Sequence, residues 1–151
     1  MAVDNQYYRL FDANVNRCRE GLRVLEDSAR FVLDQASSYK QLRALRHRID
    51  QVTRHIYPMM LATREAHRDA GRTMKESADR AGVWAVVAAN FRRVEESLRV
   101  LEEYSKIVCP GAAKDFKAVR YAGYTLEKIV KESAREFEES HPGADRPRRK
   151  K

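Results

Sequence analysis

Asparagine, arginine and glutamate recur in one order, Asn-x2-Arg-x2-Glu-x2-Arg-x2-Glu, twice in this chain. The first set is Asn14, Arg17, Glu20, Arg23 and Glu26, and the second is Asn90, Arg93, Glu96, Arg99 and Glu102. These residue types suit anion chemistry. Guanidinium forks bind phosphate oxygens bidentately. Glutamate and asparagine oxygens are hard ligands for Mg2+, which keeps several waters and bridges to substrate phosphates. The competing reading is structural, because alternating charges three residues apart on a helix form a solvated ladder stabilised by roughly a few tenths of a kcal/mol per pair.

The sets belong to a longer internal repeat. Residues 11–32 and 87–108 align at a constant offset of 76, with ten of 22 positions identical. Apolar identities such as Leu22/Leu98 and Leu25/Leu101 are explained by packing. The five polar identities are not, since neighbours such as Asn16/Arg92 and Arg19/Glu95 have exchanged freely. Steps of three residues advance about 300° around a helix. Asn14 and Asn90 therefore fall within an apolar stripe, Arg17 and Glu20 beside it, and Arg23 and Glu26 farther round. If the halves face each other, two such sets would flank a central cleft.

The elements that must position these residues are helices. Val15, Cys18, Leu22, Leu25, Ala29 and Val32 share one face at helical spacing, with Arg19, Arg23, Glu26 and Arg30 on the other side. The first helix is expected over about residues 4–34. Ser38 and Gln41 have the form of a capping box opening a second helix that ends near Leu61. Residues 62–72 read as a loop. Thr73 and Glu76 form another capping box for a third helix running to Val108, stopped by Cys109-Pro110-Gly111 before a fourth helix over about residues 112–138. The duplication continues at an offset of 74, where Leu42–His47 matches Phe116–Tyr121 and makes Arg46 equivalent to Arg120. No segment alternates with period two. The expected fold is all-α, with four long helices as two duplicated hairpins (about 11–60 and 87–135) in one bundle with pseudo-two-fold symmetry.

Composition narrows the classes. A chain of 151 residues suits one domain, expected over residues 1–140. The net charge is +8, and half of it comes from the last eleven residues, HPGADRPRRKK. Residues 141–151 read as a disordered basic tail, not as a nucleic-acid element. The moderately basic body suits an anionic small molecule equally well. Cys18 and Cys109 form no ligand cluster, and a reducing cytoplasm with no membrane partner fits best. His47, His55, His67 and His141 lack ligand spacing. Trp84 and the tyrosines read as core or cleft walls. Phosphate-binding glycine motifs and a nucleophile elbow are absent, which excludes the common kinase and ATPase architectures.

The segments DANVNRCREGLRVLEDSARFVL, LRALRHRID and AANFRRVEESLRVLEEYSK, with the Arg64-x4-Asp69-x-Gly71 loop, resemble the small all-helical hydroxymethylpyrimidine-phosphate kinase family. That family also occurs fused to the N-terminus of thiamine-phosphate synthase, which implies a functional link to that enzyme. The resemblance spans about residues 7–130 and looks like the standalone form. It implies transfer of phosphate from ATP, with Mg2+, to 4-amino-5-hydroxymethyl-2-methylpyrimidine phosphate. On that implication Arg17, Arg93, Arg23 and Arg99 hold phosphates, and Glu20, Glu96, Asn14 and Asn90 position Mg2+ or its waters. Arg64 and Asp69 close over substrate, and Arg46 and Arg120 are further phosphate contacts. Glu65, Ala66 and Ala70 depart from the family's loop pattern, which reads like ARDT-x2-DVG. Two other readings stay open: an all-α Mg-dependent nucleotide pyrophosphohydrolase and a non-enzymatic helical binding module. The long helical faces are also compatible with a homodimer.

Overall fold

Residues 3–74 and 79–143 are described by the computed structural model. Helix α1 (Asn5–Asp27) opens where Asp4 Oδ1 accepts the Gln6 N–H at 3.0 Å, an ordinary N-cap. It continues as a π turn over Ser28–Val32 instead of running on as α-helix to residue 34. Asp34, at φ 52°, then takes the left-handed conformation that ends helices, and the Gln35 N–H closes back on the Ala29 carbonyl at 2.7 Å.

Helix α2 (Ala36–Thr53) starts before the expected capping box. Ser38 is buried inside the first turn, and Gln41 bonds to Ser37. The second helix does not reach Leu61 unbroken. The chain turns at residues 54–56 and restarts as α3 (Tyr57–Ala62), with Pro58 in its first turn, where a missing N–H costs nothing. The loop expected over residues 62–72 is a connector over residues 63–74, tightened by 3-10 turns at Ala66–Arg68 and Ala70–Thr73. Thr73 belongs to the second turn and opens no helix; its expected partner Glu76 lies outside the described residues. Helix α4 (Val83–Val108) begins ten residues later than Thr73. The stop at Cys109-Pro110 and helix α5 (Ala113–Ser140) follow the sequence reading closely. Residues 144–151, most of the basic tail, lie outside the described residues.

The fold is all-α among the described residues. Helix α1 packs on α2 and α4, and α5 packs on α2 and α4, so the four long helices close a ring around one core. Phe11, Leu22, Leu25, Leu42, Ile49, Phe91, Leu98, Leu101 and Phe116 are fully buried there, with Phe11 and Phe116 meeting edge-on at 5.6 Å. Val32, expected on the buried face, is 42% exposed because the π turn rotates it away. No helix among the described residues is long and apolar enough to cross a membrane.

Helices α1 and α4 approach closely at Gly21. A Cβ there would lie 2.8 Å from Val94 Cγ2 and 3.3 Å from the Asn90 carbonyl oxygen. This contact sets the separation of the two helices that carry the repeated polar series.

Candidate functional site

The repeated series does not act as one unit, and its members go to three places. Asn14 and Asn90 turn inward along their own helices. Asn14 Nδ2 donates to the Leu10 carbonyl at 3.0 Å and Asn90 Nδ2 to the Val86 carbonyl at 2.9 Å. Each amide within the apolar stripe is thus satisfied one turn back.

The last members form ion pairs between helices. Glu26, expected on the solvent side, is fully buried, and Arg46 donates to it through Nε and through Nη2, the latter at 3.1 Å. At the equivalent positions Arg120 donates Nε and Nη2 to Glu102 Oε2 at 3.0 and 2.6 Å. Both guanidinium groups are held in the charged state primarily by these bonds. Arg46 and Arg120, expected as phosphate contacts, are placed as interhelical ties. Arg23 and Arg99 reach the same carboxylates from outside at 3.6 and 3.4 Å, and both are more than half exposed.

The middle members line a groove of about 550 Å³ where α1 meets α4. Asn14 and Arg17 come from α1, Arg93 and Glu96 from α4, joined by Arg92 and by Arg80 from the segment before α4. Four arginines against one glutamate make this concavity strongly cationic, suited to a polyanion. Arg17, Arg92 and Glu96 make no ion pair or hydrogen bond with a described residue. Glu20 is exposed and is not among the groove walls, so it does not pair with Glu96. No group of three or more His, Cys, Asp or Glu side chains suited to a metal occurs among the described residues. A lone Glu96 fits an ion that keeps its waters and arrives on nucleotide phosphates better than a resident metal.

Arg64 and Asp69 lie away from this groove. Arg64 donates Nε and Nη2 to the two carboxylate oxygens of Asp12, both at 2.7 Å, which holds the guanidinium firmly charged. Asp12 is buried and tethers the connector to α1. Asp69 Oδ1 accepts the Gly71 N–H at 2.8 Å and caps a 3-10 turn.

A second cavity, of about 400 Å³, shares Arg80, Ala89 and Arg92 with the groove. It is lined further by Trp84, Glu95, Glu127 and Lys131. Burial raises the Glu95 carboxyl to about 7, helped by the neighbouring Glu127 and opposed by Lys131 and Arg120. None of these four lining residues was singled out from the repeat, because none is repeated: Tyr8, Arg19, Thr53 and Tyr57 stand at the equivalent positions.

The comparisons bear on this geometry. Residues 9–129 match the ThiD2 family. The chain is similar to proteins named thiamine-phosphate synthase: 42% identical over 127 residues in Nostoc punctiforme, covering 83% of this chain and 35% of that one. In Synechococcus sp. CC9605 the identity is 41% over 128 residues, covering 83% and 36%. In Thermosynechococcus vestitus it is 38% over 124 residues, covering 81% and 34%. The chain thus spans about a third of the length of these curated relatives. No solved structure matches it. The family match covers most of the chain, with both helical halves and the groove between them, and the chain belongs to the ThiD2 family.

Proposed function

We propose that this protein is an enzyme of thiamine biosynthesis that transfers the γ-phosphoryl group of ATP to 4-amino-5-hydroxymethyl-2-methylpyrimidine phosphate. The observation that carries the reading is the cationic groove between α1 and α4, with Arg17, Arg80, Arg92 and Arg93 around one glutamate. Family membership and the thiamine-phosphate synthase relatives support the pathway, since the diphosphate product is what such a synthase consumes.

The chemistry asks little of the protein beyond charge and alignment. An acceptor phosphate oxygen attacks the γ-phosphorus, a P–O bond forms, and the bond to the β–γ bridging oxygen breaks as ADP leaves. The acceptor is already anionic, so no strong general base is required. The difficulty is bringing two polyanions together in line, which convergent guanidinium groups ease by neutralising phosphate charge. Mg2+ bound to the nucleotide would add charge neutralisation, with Glu96 the groove carboxylate able to hold its waters. Substrates lacking the first phosphate would leave groove arginines unpaired, which disfavours the free alcohol.

The test is ADP release in the presence of Mg2+, with the pyrimidine monophosphate or the unphosphorylated alcohol supplied in turn. ADP with the monophosphate alone, together with the diphosphate product, is the expected result. Hydrolysis independent of either pyrimidine would point instead to a nucleotide pyrophosphohydrolase. Folded protein with no turnover would leave a binding module.

A further inference from the structure

The cavity adjoining the phosphate groove has the makings of a ring site, and it is larger than its counterpart in the other half of the duplicated chain. Its apolar wall is Trp84, 40% exposed, with the adjacent Ala85 and, one helical turn along, Ala88 and Ala89. The Trp84 backbone N–H donates to Glu138 Oε1 at 2.8 Å, which anchors the start of α4, and the Lys131 ammonium lies 5.1 Å from the Trp84 ring centre. Glu95 and Glu127 line the same cavity; Glu95 Oε1 is buried and meets no fixed donor, only the neighbouring Glu127 carboxyl with which it can share a proton. A buried oxygen without a fixed donor beside an open cavity is a cost that a ligand can remove.

The first half shows what this place looks like when it is filled. At the position equivalent to Ala88 stands Asp12, whose carboxylate is occupied by Arg64 through two bonds of 2.7 Å. At the position equivalent to Glu95 stands Arg19, 2.7 Å from Asp50. The cavity beside Arg19 and Asp50 holds only about 260 Å³. Side chains of the first half fill more of this place than those of the second, although Arg19 Nε meets Asp50 at ion-pair distance without hydrogen-bond geometry.

We propose that the cavity lined by Trp84, Ala88, Glu95 and Glu127 receives a planar heteroaromatic ring, paired through an amino group and the adjacent ring nitrogen. This edge is the 4-aminopyrimidine motif that adenine and hydroxymethylpyrimidine share. The assignment rests on the kinase reading, because a phosphate in the adjoining groove is what orients the ring. A carboxyl group matches the edge with two parallel hydrogen bonds, accepting from the amino group while one proton lies between the other oxygen and the ring nitrogen. Two carboxyl groups side by side favour keeping that proton, and Lys131 and Arg120 limit how tightly it is held. Trp84 supplies the π surface, and the alanines leave room for a ring that larger side chains would fill.

Trp84 is the chain's single tryptophan and also borders the surface hollow of Tyr124 and Lys128, so its fluorescence is read together with substitution of Glu95, which lines only the proposed cavity. The full chain is titrated with hydroxymethylpyrimidine phosphate, with a non-hydrolysable ATP analogue, and with inorganic pyrophosphate as a ring-free polyanion whose binding is followed by calorimetry. A fluorescence change with a ring ligand and none with pyrophosphate is expected, and the ring ligand that gives it identifies the source of the ring. Glu95→Ala should weaken that ligand about tenfold or more without altering pyrophosphate affinity. Glu95→Gln, which keeps a donor and an acceptor in place, should restore binding, as a merely structural role would not require. Ring ligands that bind with a silent Trp84 and an indifferent Glu95→Ala would overturn the ring site and leave the phosphate groove standing. Pyrophosphate binding with no added affinity from any ring would do the same. Failure of all three ligands to bind would remove the groove as well.

Discussion

Arg120 on α5 donates two hydrogen bonds to Glu102 on α4, just as Arg46 on α2 does to Glu26 on α1. Each pair is largely shielded from water and ties a long helix of the series to its hairpin partner. Removing one member strands the other's charge, which costs about 3–5 kcal/mol in such settings. Arg46→Ala should therefore lower stability by about 3 kcal/mol. The double variant Glu26→Leu with Arg46→Met should recover most of the loss, because a well-packed apolar pair is often neutral. Urea denaturation of wild type, single and double variants checks this. A single variant as stable as wild type would show that the pair contributes nothing.

Gly21→Ala should loosen the groove from its other side. The added methyl meets Val94 Cγ2 at 2.8 Å, and Val94, branched at Cβ, has little freedom to retreat. Overpacking of this kind costs about 1–3 kcal/mol, against a helix-propensity gain of about 1 kcal/mol for alanine. A net loss of about 1 kcal/mol is expected, together with weaker binding of phosphate ligands, since the separation of α1 and α4 shapes the groove. Thermal unfolding and a pyrophosphate titration of the same variant report both effects. A more stable variant with unchanged affinity would mean that the helices part at no cost.

The bundle was largely legible in the sequence because helical periodicity and the duplication speak of the same thing, packing. The site was legible only in part, and the reason is visible in particular residues. Identity between the halves marks what both need: amides that bond back to Leu10 and Val86, and carboxylates that hold Arg46 and Arg120. Glu26 was misplaced on the solvent face because spacing along one helix says nothing of a partner arginine on the next. Residues that make the second half different are invisible to any argument from repetition. Ala88 in place of Asp12, Glu95 in place of Arg19 and Trp84 in place of Tyr8 are single departures from the repeat, and they line the open cavity. The late start of α4 escaped for another reason. Thr73 and Glu76 satisfy the capping pattern locally, yet residues 79–82 are left outside the helix and bring Arg80 to the groove.

Arg17 and Arg93 are the members of the polar series whose guanidinium groups line the groove from opposite helices. Arg93→Ala should reduce kcat/KM by about a hundredfold or more, the usual scale for losing one preorganised donor to a transferring group, with helix content intact. Arg17→Ala should behave similarly. Arg23→Ala and Arg99→Ala should do less, because those side chains are over half exposed and pair within their own helices. Steady-state kinetics on the four variants, with circular dichroism on each, decides the order. Arg93→Ala at wild-type turnover would take Arg93 out of the site.

The connector between the halves should depend on Asp12. Arg64→Ala removes both 2.7 Å bonds and leaves a buried carboxylate without its partner, a loss of about 1–3 kcal/mol. The visible consequence is local opening of residues 63–74, where Arg68 and Arg72 are exposed trypsin sites. Limited trypsin digestion should cut Arg64→Ala there several-fold faster than wild type. Equal cleavage rates would mean that other contacts hold the connector.

Glu95 gives the protein a pH dependence of a definite sign. Its carboxyl titrates near 7 in the folded chain, raised above the ordinary carboxylate range first by burial and then by Glu127, with Lys131 and Arg120 pulling it back. The folded state therefore holds a proton that the unfolded chain has already released, and linkage makes folding stability fall as pH rises from about 4.5 to about 7. Above that window both states are ionised and the effect is constant. Glu95→Gln cannot titrate and should abolish this part of the slope, so its stability relative to wild type should improve as pH rises from 5 to about 8. Thermal midpoints of the two proteins across that range test the sign. A difference that stays flat would show that Glu95 titrates within or below the ordinary carboxylate range in the folded chain.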